Sequence, residues 1–370
     1  MIKRSTRANR DAAPTEAGYS LVELLVAMGI TTVIMGATLA GLSDAIRSNE
    51  AVLQMTTMNN GLRAAMDLMV RDLLQTGSGL PKGHVILTPS GGALIRRPGP
   101  PGTAYTSSAA DLSIPAVIPG AGLGPVINGM ATDMITILTA DNNFTDVALT
   151  AVTSTSVDVS PAVDIGAGID RVIAGQLMMV YKGSTTTLVQ VTAVDPVSRR
   201  ISFGTGDSLR LNQTGGGIVG NLASLNAQPP TGAAAPAATR LTRVRMISYY
   251  LDDTTSPGRP RLVRRVNNGH AIDFDNTLGT AVAFDVENLR FTYDINDGAA
   301  NPSGVRFVPE DLTALGACAP DECSPTQIRK VNVTLTARSQ NATNPQARVY
   351  RNTLQSQVAL RGMALVNEYQ

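Results

Sequence analysis

From Tyr19 to Leu42 the chain reads YSLVELLVAMGITTVIMGATLAGL, an apolar run interrupted by one carboxylate, Glu23. About 20 such residues in a helix cross the hydrocarbon core of a bilayer. Beyond Leu42 the pattern becomes a stripe. Val52, Met55, Asn59, Leu62, Met66, Met69 and Leu73 recur at alternating steps of three and four, one face of a helix. Arg63, Asp67 and Arg71 are spaced for i,i+4 pairs, and Gly77, Gly79 and Pro81 end the run. The pattern predicts one helix over 19–76, roughly 85 Å long at 1.5 Å per residue. Its first half (19–42) suits the lipid of a membrane. Its second half (43–77) offers a Met/Leu stripe to the protein's own sheet.

Residues 78–130 are rich in Gly and Pro, as in RRPGPPG and VIPGAGLGPVING, and read as a loop or insertion with little regular structure. A β-rich body follows over 131–370, with strand-length pieces ATDMITILTA, QLMMVYKG, TLVQVTAV and RRISFG. A polar, flexible tract near 221–239 separates these from LTRVRMISYYLD, PRLVRRV, VENLRFTYDIN and IRKVNVTLTAR. Leu289, Phe291, Tyr293 and Ile295 share one strand face, as do Val331, Val333 and Leu335. One apolar face per strand predicts half-buried antiparallel sheet. The expected fold is α+β, a long N-terminal transmembrane/amphipathic helix packed on an antiparallel β-sheet body.

Composition narrows the function. The net charge of +1 provides no global field for nucleic acid or acidic lipid. Few charges, no Trp and much Gly, Ala, Thr and Val suit a secreted, β-rich body better than a cytosolic enzyme. FGTGDSL and QTGGGIVG lack the lysine and the strand-to-helix setting of a phosphate loop and read as turns. His84 and His270 are too far apart for a helical metalloprotease motif, and with no hydrolase or kinase signature either, no enzymatic activity, cofactor or metal is expected. Asp252-Asp253 and DFDN at 273–276 read as solvated turn carboxylates, cation binding being the alternative. Arg96-Arg97, Arg199-Arg200 and Arg264-Arg265 are scattered and lack interleaved aromatics. Nucleic acid is therefore not an expected partner, except in a system that takes up DNA. Cys318 and Cys323, in CAPDEC, are too few for zinc and wrongly spaced for a redox CxxC. They read as a small disulfide loop worth about 2 kcal/mol in an oxidising compartment, two reduced thiols being the alternative.

The amino terminus adds direction. Lys3, Arg4, Arg7 and Arg10 precede the apolar run, whereas Arg47 stands between Asp44 and Glu50 beyond it. This asymmetry places the terminus in the cytoplasm and the body outside. There is no A-x-A cleavage site near Ala40, but a Gly18-Tyr19 junction lies ahead of the run. A cut there would remove a leader of residues 1–18 and keep the helix. A glycine suits such a cut because no Cβ obstructs a protease cleft. Glu23 in hydrocarbon would cost roughly 2.5–3.5 kcal/mol on insertion scales, so it requires a compensating partner.

Gly18 followed by YSLVELLVAM resembles the processing site of type IV prepilins and type II secretion pseudopilins. The resemblance implies that a membrane-embedded peptidase cuts after Gly18 and methylates the new amine of Tyr19. It also implies that Glu23, the fifth mature residue, is retained for assembly, pairing with a neighbour's terminal amine. Tyr19 stands where Phe is commonest, Asp11 and Glu16 lie in the leader, and the proline that kinks many pilin helices is missing. AAMDLMVRDLLQTG, TRVRMISYYLDD, DVENLRFTYDIND and IRKVNVTLTARS are similar in order and type to PilW-type minor pilins. That similarity implies a role in pilus assembly or initiation near the tip. A J-type pseudopilin, or a membrane-anchored adhesin or binding module, is the alternative. The partners implied are the prepilin peptidase/methyltransferase, other minor and major pilins, the inner-membrane assembly platform and the membrane itself. The implied location is the inner membrane, single-pass with the body periplasmic, and then the extracellular pilus.

Overall fold

The computed structural model describes residues 18–80, 84–86, 95–100, 106–107, 113–183, 185–212, 222–225, 238–255, 257–267, 279–296, 305–308, 325–339 and 349–364. Residues 1–17 of the leader, His270, DFDN and CAPDEC lie outside the described residues. The chain divides into two compact units, up to Gln54 and from Met55. Helix α1, Leu21–Gln75, contributes to both.

In the first unit α1 is apolar and exposed, from Leu21 and Val22 through Met35, Leu39 and Leu42. It is long and apolar enough to cross a membrane. Hydroxyls within the run are satisfied locally. Thr31 donates to the Ala27 carbonyl at 2.6 Å and Thr32 to that of Met28 at 2.7 Å. A polar group so bonded tolerates hydrocarbon.

In the second unit α1 buries Leu62, Ala65, Met66, Met69, Asp72 and Leu73. The predicted stripe therefore points inward at Leu62, Met66, Met69 and Leu73, with Met55 and Asn59 half-buried. Val52, nearer the amino end, is 56% exposed. Among the described residues no ion pair joins Arg63, Asp67 and Arg71. These side chains face solvent, where such pairs contribute only tenths of a kcal/mol.

The body holds an eleven-stranded sheet. In chain order its strands are β1 (Val117–Ile118), β2 (Ile135–Ala140), β3 (Val147–Val152), β4 (Ser156–Val159), β5 (Leu177–Lys182) and β6 (Thr185–Gln190). The others are β7 (Ala193–Asp195), β8 (Arg200–Ser202), β9 (Arg240–Asp252), β10 (Arg261–Val266) and β11 (Thr280–Phe284). The long strand β9 organises it, pairing with β5 and then β10 along one edge and with β3 and then β2 along the other. A separate sheet orders β13 (Val305–Val308), β12 (Val286–Asn296), β14 (Ile328–Arg338) and β15 (Arg351–Ala359). Every ladder is antiparallel.

The second sheet follows the expected alternation. Leu289, Phe291, Tyr293, Ile295, Val331, Val333 and Leu335 are all buried in the main core with the α1 stripe. The large sheet departs from it, because β2 is buried at every position and β5 at its first four. Leu177, Met179 and Leu188 face the main core, while Met178, Val180 and Val189 face a second core with Phe144, Val157, Ile201 and Leu241. A sheet covered on both sides reads as a continuous apolar run. The second core belongs to a lobe that leaves β2 and returns into β9 where Ala140 pairs with Val244. Arg243 closes this neck, donating from Nε to Asp141 at 2.8 Å with its guanidinium 5.3 Å from the centre of the Phe144 ring.

The Gly/Pro-rich segment contributes more than a bare loop. It carries β1 and several strands of two or three residues, and it places Ile95, Ile114, Ala116, Val117 and Ile118 in the main core. Gly79, at the exit from α1, has φ +72°, and a Cβ there would come within 2.6 Å of Ala140 Cβ. Gly79→Ala is expected to cost about 2 kcal/mol. The check is a lowered unfolding midpoint of the full chain in detergent, and an unchanged midpoint contradicts it.

Candidate functional site

The first turn of a helix leaves backbone N–H groups without helical partners. Here two side chains supply them. Ser20 precedes the helix, and its carbonyl accepts from Leu24 N–H at 3.2 Å. Its Oγ accepts from Glu23 N–H at 3.2 Å, and Glu23 Oε2 accepts from Ser20 N–H at 2.9 Å. This reciprocal pair is a capping box. It also sets a carboxylate against the positive end of the helix dipole.

Gly18 and Tyr19 lie just ahead of this box, outside the helix, and Tyr19 is 89% exposed. A Cβ at Gly18 would meet nothing within 4 Å. The chain itself makes no demand for glycine there, so any demand comes from a partner that must approach the backbone. The structure thus gathers Gly18, Tyr19 and Glu23 around one helix start, while Cys318 and Cys323 lie outside the described residues. Ser20 is the residue the sequence reading missed. Its signal was S-x-x-E ahead of an apolar run, here Ser20-Leu21-Val22-Glu23.

Several buried charged groups among the described residues are structural. Asp72, on the buried face of α1, accepts at Oδ2 from Tyr249 Oη at 2.5 Å and from Arg264 Nε at 2.6 Å. Burial first, then the Asp72 charge, pushes the Tyr249 phenol far above its ordinary range, so it stays a donor. Asp252, expected as a solvated turn carboxylate, is 1% exposed. Burial alone would raise its pKa, but hydrogen bonds from Thr254, Thr255 and Arg261 hold it down to about 2. Of the paired arginines, Arg97 and Arg265 are buried and engaged, while Arg199 and Arg200 are exposed, Arg200 with a partner. Arg97 donates to the carbonyls of Ile118 and Pro119, Arg265 to that of Gly99, and Arg200 to Asp158. Among the described residues no three His, Cys, Asp or Glu side chains are placed to hold a metal ion.

Residues 14–39 match the prokaryotic N-terminal methylation motif. The match spans the Gly18-Tyr19 junction, the capping box and the first turns of the apolar helix. No curated protein and no solved structure matches the chain. The motif supports a type IV prepilin-like protein and indicates a structural subunit rather than an enzyme. It implies processing by a prepilin peptidase and assembly with other pilins. With the exposed apolar stretch of α1, it supports anchoring of this prepilin-like chain in a membrane.

Proposed function

We propose that this chain is a minor pilin of a type IV pilus, cut after Gly18, N-methylated at Tyr19 and built into the filament near its tip. The observation that carries this reading is Glu23, the sole acidic side chain of the apolar run, held at the helix start four residues after the cut. A new cationic amine at Tyr19 of a neighbouring pilin would neutralise it, so subunits dock in the register where the charges meet. The PilW-type resemblance supports the tip position. A body with a second lobe suits a cap better than a repeating shaft. In this reading the helix crosses the inner membrane once, the body is periplasmic until assembly, and Cys318 and Cys323 form a disulfide. The motif is shared with type II secretion pseudopilins, which keeps that system as the second reading.

The test is the intact mass of the protein recovered from membranes. The expected product starts at methylated Tyr19, and Gly18→Val should accumulate the uncut form without loss of folding, since nothing packs against Gly18. A wild-type chain that keeps its leader, or is cut near Ala40, would overturn the proposal.

A further inference from the structure

The capping box commits only one of the two Glu23 oxygens. Oε2 accepts from Ser20 N–H, and among the described residues no hydrogen bond reaches Oε1. An ionised carboxylate has about four lone-pair sites, so the box and a second donor can be served together. We infer that Ser20 is a positioning residue for assembly. Its hydroxyl secures the Glu23 backbone, so that the Ser20 N–H can hold the carboxylate through Oε2 and leave Oε1 to receive the terminal amine of a neighbouring pilin. This rests on the proposed role of Glu23.

The physical gain is order before contact. A free glutamate side chain samples many rotamers and loses that freedom when it binds. In the box its end is fixed by one bond to Ser20 N–H, while the Ser20 hydroxyl secures the backbone that carries it. The neighbour's amine then meets a carboxylate already in place. The opposite arrangement is also physically coherent, with the box competing for the carboxylate and having to open first. The two differ in sign. If the Ser20 hydroxyl helps position the carboxylate, its loss lowers assembly. If the box competes, loosening it by losing that hydroxyl raises assembly.

The experiment compares full-length Ser20→Ala, Ser20→Thr and Glu23→Gln chains in the source bacterium. The ratio of protein in the sheared-pilus fraction to protein in membranes is read beside the mass of the mature chain. Ser20→Ala should lower the ratio about fivefold, the equilibrium counterpart of a typical lost cap. The mature mass should still begin at methylated Tyr19. Ser20→Thr, which keeps the hydroxyl, should restore the ratio. An unchanged or raised ratio for Ser20→Ala, with Glu23→Gln excluded from pili, overturns the role of Ser20 alone. Normal incorporation of Glu23→Gln overturns the role of Glu23 and this inference with it.

Discussion

Glu23→Gln should leave the protein cleaved, methylated and membrane-bound but absent from sheared pili. Glutamine keeps the shape and a carbonyl oxygen for the Ser20 N–H, so the helix start survives. The uncharged side chain also enters the bilayer more easily than a carboxylate. What disappears, in the proposed docking, is the charge that would meet the neighbour's amine. Breaking a buried ion pair by removing one member costs about 3–5 kcal/mol, or more than about a hundredfold in an association constant. Immunoblots of sheared and membrane fractions decide the matter. A display anchor that borrowed the pilin signal would reach the surface at its normal level, and that result would sink the filament role.

Asp72→Leu is expected to have the second-largest effect. It strands the Arg264 guanidinium and the Tyr249 hydroxyl on the face where α1 meets the sheet. The Asp72 and Arg264 side chains are only 11% and 22% exposed, so water replaces the lost partner poorly. A loss of about 3 kcal/mol is expected, read as a lowered denaturation midpoint of the full chain in detergent. The combined change Asp72→Leu, Arg264→Leu and Tyr249→Phe should recover most of it, because no donor is then left without an acceptor. Equal destabilisation of the single and combined variants would show that the damage comes from packing rather than from orphaned polar groups.

Much of the fold was legible because it is periodic. The α1 stripe repeats every three or four residues, and β12 alternates from Leu289 to Ile295 and β14 from Val331 to Ala337, so their buried faces could be named in advance. Two-sided burial was harder to read. MMV in β5 is apolar without a break, and only the second core shows why both faces need covering. β15 escaped notice because its sequence, RNTLQSQVA, has few apolar residues, and it is an edge strand on which most side chains stay at least partly exposed. The Asp72 cluster was illegible for another reason, since Asp72 lies 192 residues before Arg264. No local pattern marks such a partner. Asp252 shows the limit of composition: an acidic pair in a turn sequence suggested solvent, while a second hydroxyl and a guanidinium nearby made burial tolerable. At the candidate site, Gly18, Tyr19 and Glu23 stood out in the motif, and S-x-x-E already signalled the link from Glu23 to Ser20, while which carboxylate oxygen it engages required the backbone geometry.

The span between Asp72 and its partners also bears on biogenesis. A ribosome completes α1 long before it reaches β9 and β10, so Asp72 waits for Tyr249 and Arg264 while nearly two hundred further residues are added. Closing so long a loop is slow compared with local helix formation. A chain cut short before Arg264 would lack the guanidinium that fastens α1, so firm attachment of the helix reports that synthesis has run through the central strands.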